Sequence, residues 1–212
     1  MQATSFIRPI PFNRKLSTFL AYAFHPLLMP VYATLLVFYY NIYLVYSIPA
    51  VVQRIILLLI VVSTLLFPLA TAIMLLQKGT ISSLHMPLRK ERNIPYLTTA
   101  IYYFTGWYLL SRLPVGLIFS KIMLAASIAI ILVFFINLFF KISIHMIGIG
   151  GLTGILVALS SHLIISITVP ILITVFIAGL LGTARIVHGK HSPLEVYTGF
   201  LLGFFCEWIF MS

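Results

Sequence analysis

The apolar positions of this chain run continuously through seven segments, at 27–46, 55–76, 96–110, 117–140, 146–161, 163–182 and 193–210. A lipid-facing β-strand would alternate apolar and polar residues, and these segments do not. A helix needs about 20 apolar residues to cross the hydrocarbon core of a bilayer. The pattern therefore predicts an all-α fold, a polytopic transmembrane helical bundle of about six to seven spans.

Composition supports a membrane protein and a single domain. The chain is 62% hydrophobic and only 8% charged, whereas a soluble domain is about 25% charged. No Pro-rich linker, low-complexity tract or internal repeat divides residues 1–212. Arg14 and Lys15 precede an apolar run too long for a signal peptide, so we expect this region to be retained. The single cysteine, Cys206, excludes an intramolecular disulfide and is expected to pack inside the last helix.

The net charge of +10 comes from basic residues scattered in short segments between the predicted spans. That distribution suits anionic lipid headgroups or a phosphate-bearing substrate, and it argues against a nucleic-acid partner. The expected partners are therefore membrane lipids and a phosphorylated lipid, of the phosphatidate, phosphatidylglycerol phosphate or polyprenyl phosphate type.

Seven crossings would place three distant segments, at 77–95, 141–145 and 183–192, on the same membrane face as the N-terminus. The shared feature of these segments is a high density of cations and histidines. The candidates are Arg89, Arg92, Lys141, Ser143, His145, Arg185, His188, Lys190 and His191. His162 falls on the opposite face and is excluded.

Carboxylates are scarce, since the chain has only Glu91, Glu195 and Glu207 and no aspartate. Sites that hold Mg²⁺ against a phosphate usually need several carboxylates. We therefore expect phosphate chemistry without a metal or any other cofactor.

The stretch "ARIVHGKHSPLEVYTG" at 184–199 concentrates these ionisable groups. A helix beginning near Ser192 would bring His191 and Glu195 one turn apart. A carboxylate on one imidazole nitrogen fixes the tautomer and leaves the other nitrogen free to attack. Alternatively, Ser192 is the N-cap, Pro193 the first helical residue, and Glu195 only completes a capping box.

The spacing Arg185-x5-His191-x3-Glu195 resembles the third motif of the type 2 phosphatidic acid phosphatase superfamily, which includes the vanadium haloperoxidases. The resemblance implies that His191 is a nucleophile forming a phosphohistidine, that Glu195 orients it, and that Arg185 clamps the phosphate. This chain departs from the family pattern at Ala184, where the family has serine, and at Glu195, where it has aspartate.

The second family motif is similar to Ser143-Ile144-His145, with Ile144 in place of glycine. By resemblance, His145 would protonate the leaving group and Ser143 would bind phosphate. The first motif matches only loosely, through Arg89 and Arg92, which could form a phosphate cradle.

Further cations could complete a phosphate site of this kind. Lys141 is a candidate for the lysine missing from the first motif, and Lys190 is another possible phosphate ligand. His188 is either a phosphate donor or an ordinary interfacial residue.

Other functions remain open from the sequence. A catalytically degenerate homologue would keep the fold without turnover, and a small transporter or lipid-binding membrane protein is a further alternative. A transporter would be expected to carry ionisable residues or broken helices near the midplane. A haem protein needs histidines at similar depth within the bilayer, whereas His145 and His191 lie at helix ends near arginines.

The expected location is the cytoplasmic (inner) membrane, but the orientation conflicts between two signals. Ten of the 13 Lys and Arg residues would lie on the candidate site's face, which the positive-inside rule places in the cytoplasm. The resemblance implies a periplasmic site, and without Lys90 and the five candidate site cations Arg89, Arg92, Lys141, Arg185 and Lys190 the two faces carry four and three Lys and Arg residues. Away from this face, Gly150-x3-Gly154 predicts close helix–helix packing.

Overall fold

The computed structural model describes residues 13–40, 46–114, 117–161 and 166–212. His162, residues 41–45 of the first predicted span and residues 163–165 of the sixth lie outside these ranges. Every regular element in the described ranges is helical. The all-α prediction is therefore confirmed for the part of the chain that the structure describes.

The helices follow one another with short connections. In chain order they are α1 (Arg14–Ala23), α2 (Met29–Tyr40), α3 (Ala50–Val61), α4 (Phe67–Gln77), α5 (Asn93–Ser111), α6 (Leu117–Asn137), α7 (Ile144–Ser160), α8 (Thr168–Val187) and α9 (Pro193–Met211). Short 3-10 turns lie at Pro26–Leu28 and Arg89–Arg92, and a π-helical turn at Val62–Leu66 joins α3 to α4.

Five helical units in the described residues are long and apolar enough to cross a membrane. They are Arg14–Tyr40, Ala50–Gln77, Leu117–Asn137, Thr168–Val187 and Pro193–Met211. The apolar α7 is shorter, and α5, which contains the predicted span 96–110, is not among the five. The protein is thus a membrane-embedded helical bundle.

The first and sixth predicted spans differ from the observed helices. The N-terminal helical unit begins at Arg14, well before residue 27, and bends at Phe24–Pro26, where His25 caps the 3-10 turn. The helix of the sixth predicted span, α8, continues to Val187 instead of ending at residue 182. It ends where Gly189 adopts a φ of +63°, a left-handed conformation that suits glycine after a helix end.

A π-turn accommodates Pro68 inside the long helical unit Ala50–Gln77. Proline has no N–H to donate to the preceding turn and its ring crowds the carbonyl four residues earlier. The wider turn at Val62–Leu66 ends two residues before this proline. It lets the helix continue through Pro68, as π-turns often do at local distortions.

Glycines allow α7 and α9 to pack backbone against backbone. A Cβ on Gly150 or Gly154 would collide with the carbonyl oxygens of Phe200 and Phe204, and a Cβ on Gly203 would collide with that of Ile147. The predicted role of Gly150-x3-Gly154 in helix packing is confirmed. Because this interface is so close, it fixes the start of α7 against the start of α9, where the candidate site residues lie.

Candidate functional site

His191 and Glu195 form a hydrogen-bonded pair at the start of α9. The Nδ1 atom of His191 lies 2.6 Å from Oε2 of Glu195. Ser192 is the N-cap, because its Oγ accepts the Glu195 N–H at 3.3 Å, and Pro193 is the first helical residue. Ser192 therefore caps the helix while the carboxylate of Glu195 contacts the imidazole. The contact agrees with the orienting interpretation of Glu195.

Arg185 lies in the last turn of α8, and the following turn returns the chain to it. The N–H groups of Lys190 and His191 both donate to the Arg185 carbonyl, at 3.0 and 3.2 Å. The left-handed Gly189 makes this turn possible. The Nε and Nη2 atoms of Arg185 are buried and have no hydrogen-bond partner among the described residues. Buried guanidinium donors without partners are costly, so an anionic ligand would stabilise them.

The start of α7 joins the start of α9 through the main chain. The Ser143 N–H donates to the Glu195 carbonyl at 3.2 Å, and Ser143 is fully buried. Its Oγ has no hydrogen-bond partner in the described part of the chain. Nearby, Lys141 Nζ donates to the Lys190 carbonyl at 2.8 Å. The second and third predicted motif segments are therefore adjacent in the fold.

His145, in the first turn of α7, contacts the N-terminal helical unit. Its Nε2 lies 3.2 Å from the Ala21 carbonyl oxygen, and since a carbonyl only accepts, Nε2 carries the proton. The ring of His25 is 5.5 Å from that of His145, nearly perpendicular to it. His145 is also within electrostatic range of Arg185 and His191. These contacts bring His145 into the same cluster.

The 77–95 segment contributes Arg92 to this cluster more directly than Arg89. The charge of Arg92 acts on His191, and its Nε donates to the Met86 carbonyl at 2.9 Å. Arg89 is exposed. It contacts α6 through its main chain, since its carbonyl accepts from Asn137 Nδ2 at 3.0 Å.

Two predicted phosphate ligands contribute less clearly. Lys190 is exposed, and the contacts that place it are those of its main-chain N–H and carbonyl. His188 is partly buried directly after α8, where its N–H donates to the Ala184 carbonyl at 3.3 Å. Main-chain hydrogen bonds therefore hold both residues beside Arg185 and His191.

The three carboxylates occupy three different environments. Glu195 is at the site, whereas Glu91 accepts the N–H groups of Ser82 and Leu88 and so organises its own loop. The hydrogen bonds from Ser82 lower the pKa of Glu91. Glu207 is buried on α9 against Gly151, about 18 Å along the helix from Glu195. Glu195 is therefore the carboxylate that contacts a histidine of the cluster, while Glu91 lies within electrostatic range of Arg92.

The electrostatics favour a neutral His191 near pH 7. Burial lowers the pKa of His191 to about 4, and the charges of Lys141 and Arg92 act in the same direction. The hydrogen bond and charge of Glu195 oppose this shift. A neutral imidazole whose Nδ1–H is held by Glu195 has its lone pair on Nε2. Such a nitrogen can act as a nucleophile toward an anion bound at Arg185.

His25 is a residue of this cluster that the sequence analysis did not identify. The predicted topology already placed the N-terminus on the face of the candidate site, and His25 directly precedes Pro26. The sequence pattern did not predict the bend that turns this residue toward α7. Within the described residues, no group of three or more His, Cys, Asp or Glu side chains is arranged to hold a metal ion.

Comparisons with known proteins give no family model, no curated protein and no solved structure that matches this chain. The resemblance to the type 2 phosphatidic acid phosphatase superfamily therefore depends on the motif residues and their geometry alone.

Proposed function

We propose that this protein is a metal-independent phosphatase of lipid phosphates or diphosphates, acting through a phosphohistidine on His191. One observation carries the proposal. A histidine held at 2.6 Å by a carboxylate lies one tight turn from an arginine whose buried donors lack partners. The pair supplies an oriented nucleophile and the arginine supplies the charge that a phosphate needs.

In the first step, His191 Nε2 attacks phosphorus and the bond from phosphorus to the lipid oxygen breaks. Arg185 binds the equatorial oxygens, and Arg92 and Lys141 add positive charge. The leaving oxygen takes a proton from His145. Because Nε2 of His145 is bonded to Ala21, the proton comes from Nδ1 of the doubly protonated ring, whose charge the bound phosphate favours.

In the second step, a water molecule attacks the phosphorus of the phosphohistidine. Its proton passes to Nδ1 of His145, the bond from phosphorus to nitrogen breaks, and the electron pair returns to His191 Nε2. Inorganic phosphate leaves, and both histidines regain their starting protonation states. Glu195 holds the ring orientation through both steps.

An apolar groove supports a lipid as the substrate. It has a volume of about 620 Å³ and lies between α6 and α9. It begins at Ile142 and Thr198, which neighbour Ser143 and Glu195 in sequence, and continues to Ile209. A hydrocarbon chain in this groove would stay within the bilayer while its phosphate reached the site.

The proposed location is the inner membrane, with the site facing the periplasm. The variant Lys78→Cys tests the orientation, since Lys78 is exposed at the end of α4, and the native Cys206 is replaced by alanine in this background. Labelling of intact cells by a membrane-impermeant maleimide is expected. Labelling only after the cells are opened would place the site in the cytoplasm.

Turnover by the purified protein tests the function. Phosphate release is measured from phosphatidate, phosphatidylglycerol phosphate and undecaprenyl diphosphate, without added metal. We expect His191→Ala to abolish release and Glu195→Gln to lower kcat with little change in KM. His85→Ala is the matched control, because His85 is exposed outside the cluster.

Full activity of His191→Ala on any substrate would refute the mechanism. A protein that binds orthovanadate but hydrolyses none of the lipids would be a catalytically degenerate homologue. An unchanged kcat in Glu195→Gln would leave Glu195 only the structural role of completing the helix start.

A further inference from the structure

His25 lies where the N-terminal helical unit meets α7 and α8. Its ring is 5.5 Å from that of His145, and it is within electrostatic range of Arg185. The backbone around it is fixed by close packing, because a Cβ on Gly148 would lie 3.1 Å from Pro26 Cα and 2.9 Å from Met29 Cγ. His25 is therefore held against the candidate site by the main chain as well as by its own side chain.

The hydrogen bonds of His25 define which of its nitrogens is a donor. As the N-cap of the 3-10 turn, its Nδ1 accepts the Leu27 N–H at 3.4 Å. In the neutral ring the proton is then on Nε2. His25 consequently presents an N–H donor on the side of the ring away from its capping bond, without needing a positive charge.

The groups around His25 are donors and bases that lack a matching anion. Arg185 lies within electrostatic range of His25, and Arg185, His25 and His191 lie within electrostatic range of His145. The carboxylate of Glu195 is hydrogen-bonded to His191, and the carboxylates of Glu91 and Glu207 lie outside this group of residues. Two guanidinium donors of Arg185 remain unpartnered in this cluster. Such an arrangement fits a tetrahedral oxyanion.

We propose that His25 is a further ligand of the phosphate site, with its Nε2–H donating to a phosphate oxygen held by Arg185. The N-terminal helical unit then forms one wall of the site, contributing His25 and, through the Ala21 carbonyl, the orientation of His145. This inference deepens the proposed function, and it rests on that function only for the identity of the anion as a phosphate ester.

Two substitutions separate a phosphate contact from a structural cap. His25→Asn keeps a good N-cap acceptor for Leu27 but has no donor at the position of Nε2. His25→Gln places an amide donor near that position but loses the short capping side chain. His85→Asn is the control for loss of an exposed imidazole. Inorganic phosphate and orthovanadate are the probes, with binding measured by isothermal titration calorimetry and folding by thermal melting.

The expected result is orthovanadate binding weakened about tenfold or more in His25→Asn, as for loss of a hydrogen bond to a charged group. The melting temperature should stay unchanged, and His25→Gln should bind within about threefold of the native protein. Loss of binding in both variants without a change in melting still supports a contact that needs the imidazole.

Three results overturn the inference. The first is native orthovanadate affinity in His25→Asn. The second is loss of affinity in both variants together with a lowered melting temperature. The third is absence of anion binding by the unmodified protein. Phosphate release from lipids is measured separately from anion binding. If the unmodified protein binds orthovanadate through His25 but releases no phosphate from lipids, the proposed function fails and the assignment of His25 stands.

Discussion

Replacing Gly203 by alanine should destabilise the bundle and disturb the candidate site at the same time. A Cβ at this position would collide with the Ile147 carbonyl oxygen and lie 2.8 Å from Ile147 C and 2.9 Å from Gly151 N. Ordinary contact begins at 3.4 Å, so these backbone atoms are at least half an ångström too close. Since the colliding atoms are main chain, no rotamer change relieves the clash and the helices must separate.

Overpacking of this kind costs about 1–3 kcal/mol, which corresponds to a melting temperature lowered by about 2–12 °C for a chain of this size. The assay is thermal unfolding in detergent, followed by the reaction of Cys206 with a fluorogenic maleimide. This cysteine is the only one in the chain and it is buried, so it reacts as the protein unfolds. Gly179→Ala is the matched control, because a Cβ there meets nothing within 4 Å.

Gly203→Ala should also lower the affinity for orthovanadate, because the α7–α9 contact positions Ser143 against Glu195. Gly179→Ala should melt within a few degrees of the unmodified protein. Equal melting curves for Gly203→Ala and Gly179→Ala would refute the conclusion that α7 and α9 pack backbone against backbone.

Three further predictions follow from the same structure. Because the pKa of His191 is about 4, activity that needs its neutral form should persist at pH 5, and the free energy of unfolding should decline as the pH falls from about 6.5 toward 4. A loss of kcat/KM on the acid side of about pH 6.5 would contradict this prediction. Gly189→Ala and Gly79→Ala should each lower the free energy of unfolding by about 1–2 kcal/mol in thermal melts, since φ is +63° and +70°, but only Gly189→Ala should lower kcat. An equal kcat in both variants would show that the turn at Gly189 does not position His191. Leu202→Trp, within the groove, should raise KM for long-chain but not for dioctanoyl substrates, with exposed Ile173→Trp as the control. Equal changes in KM for both chain lengths would exclude the groove as the binding site of the hydrocarbon chain.

The helical fold was predictable because its signal is strong and local. Long apolar runs have few alternatives in a bilayer, so the positions of α3 to α7 and of α9 follow the predicted spans closely. The ends of the helices were less predictable. The extension of α8 to Val187 depends on the turn at Gly189. The early start at Arg14 depends on α1, an amphipathic helix without a continuous apolar run.

The site was partly predictable for a related reason. The pairing of His191 with Glu195 follows from helical spacing alone, and the shared membrane face brought 141–145 near 183–192. The choice between Arg89 and Arg92 depends on how the loop before α5 folds, which no periodicity reveals. His25 was missed because its position depends on a bend and on the contact between Pro26 and Gly148, which are features of tertiary packing.

The hydrogen bond from the Ser143 N–H to the Glu195 carbonyl has a consequence for amide hydrogen exchange. Ser143 precedes α7, so its N–H belongs to no helical ladder, yet the residue is fully buried. Its exchange requires α7 and α9 to separate at the site, so its protection factor measures that opening free energy directly. A bound phosphate ester that bridges the two helix starts should slow this one amide far more than the amides at the distant end of α9.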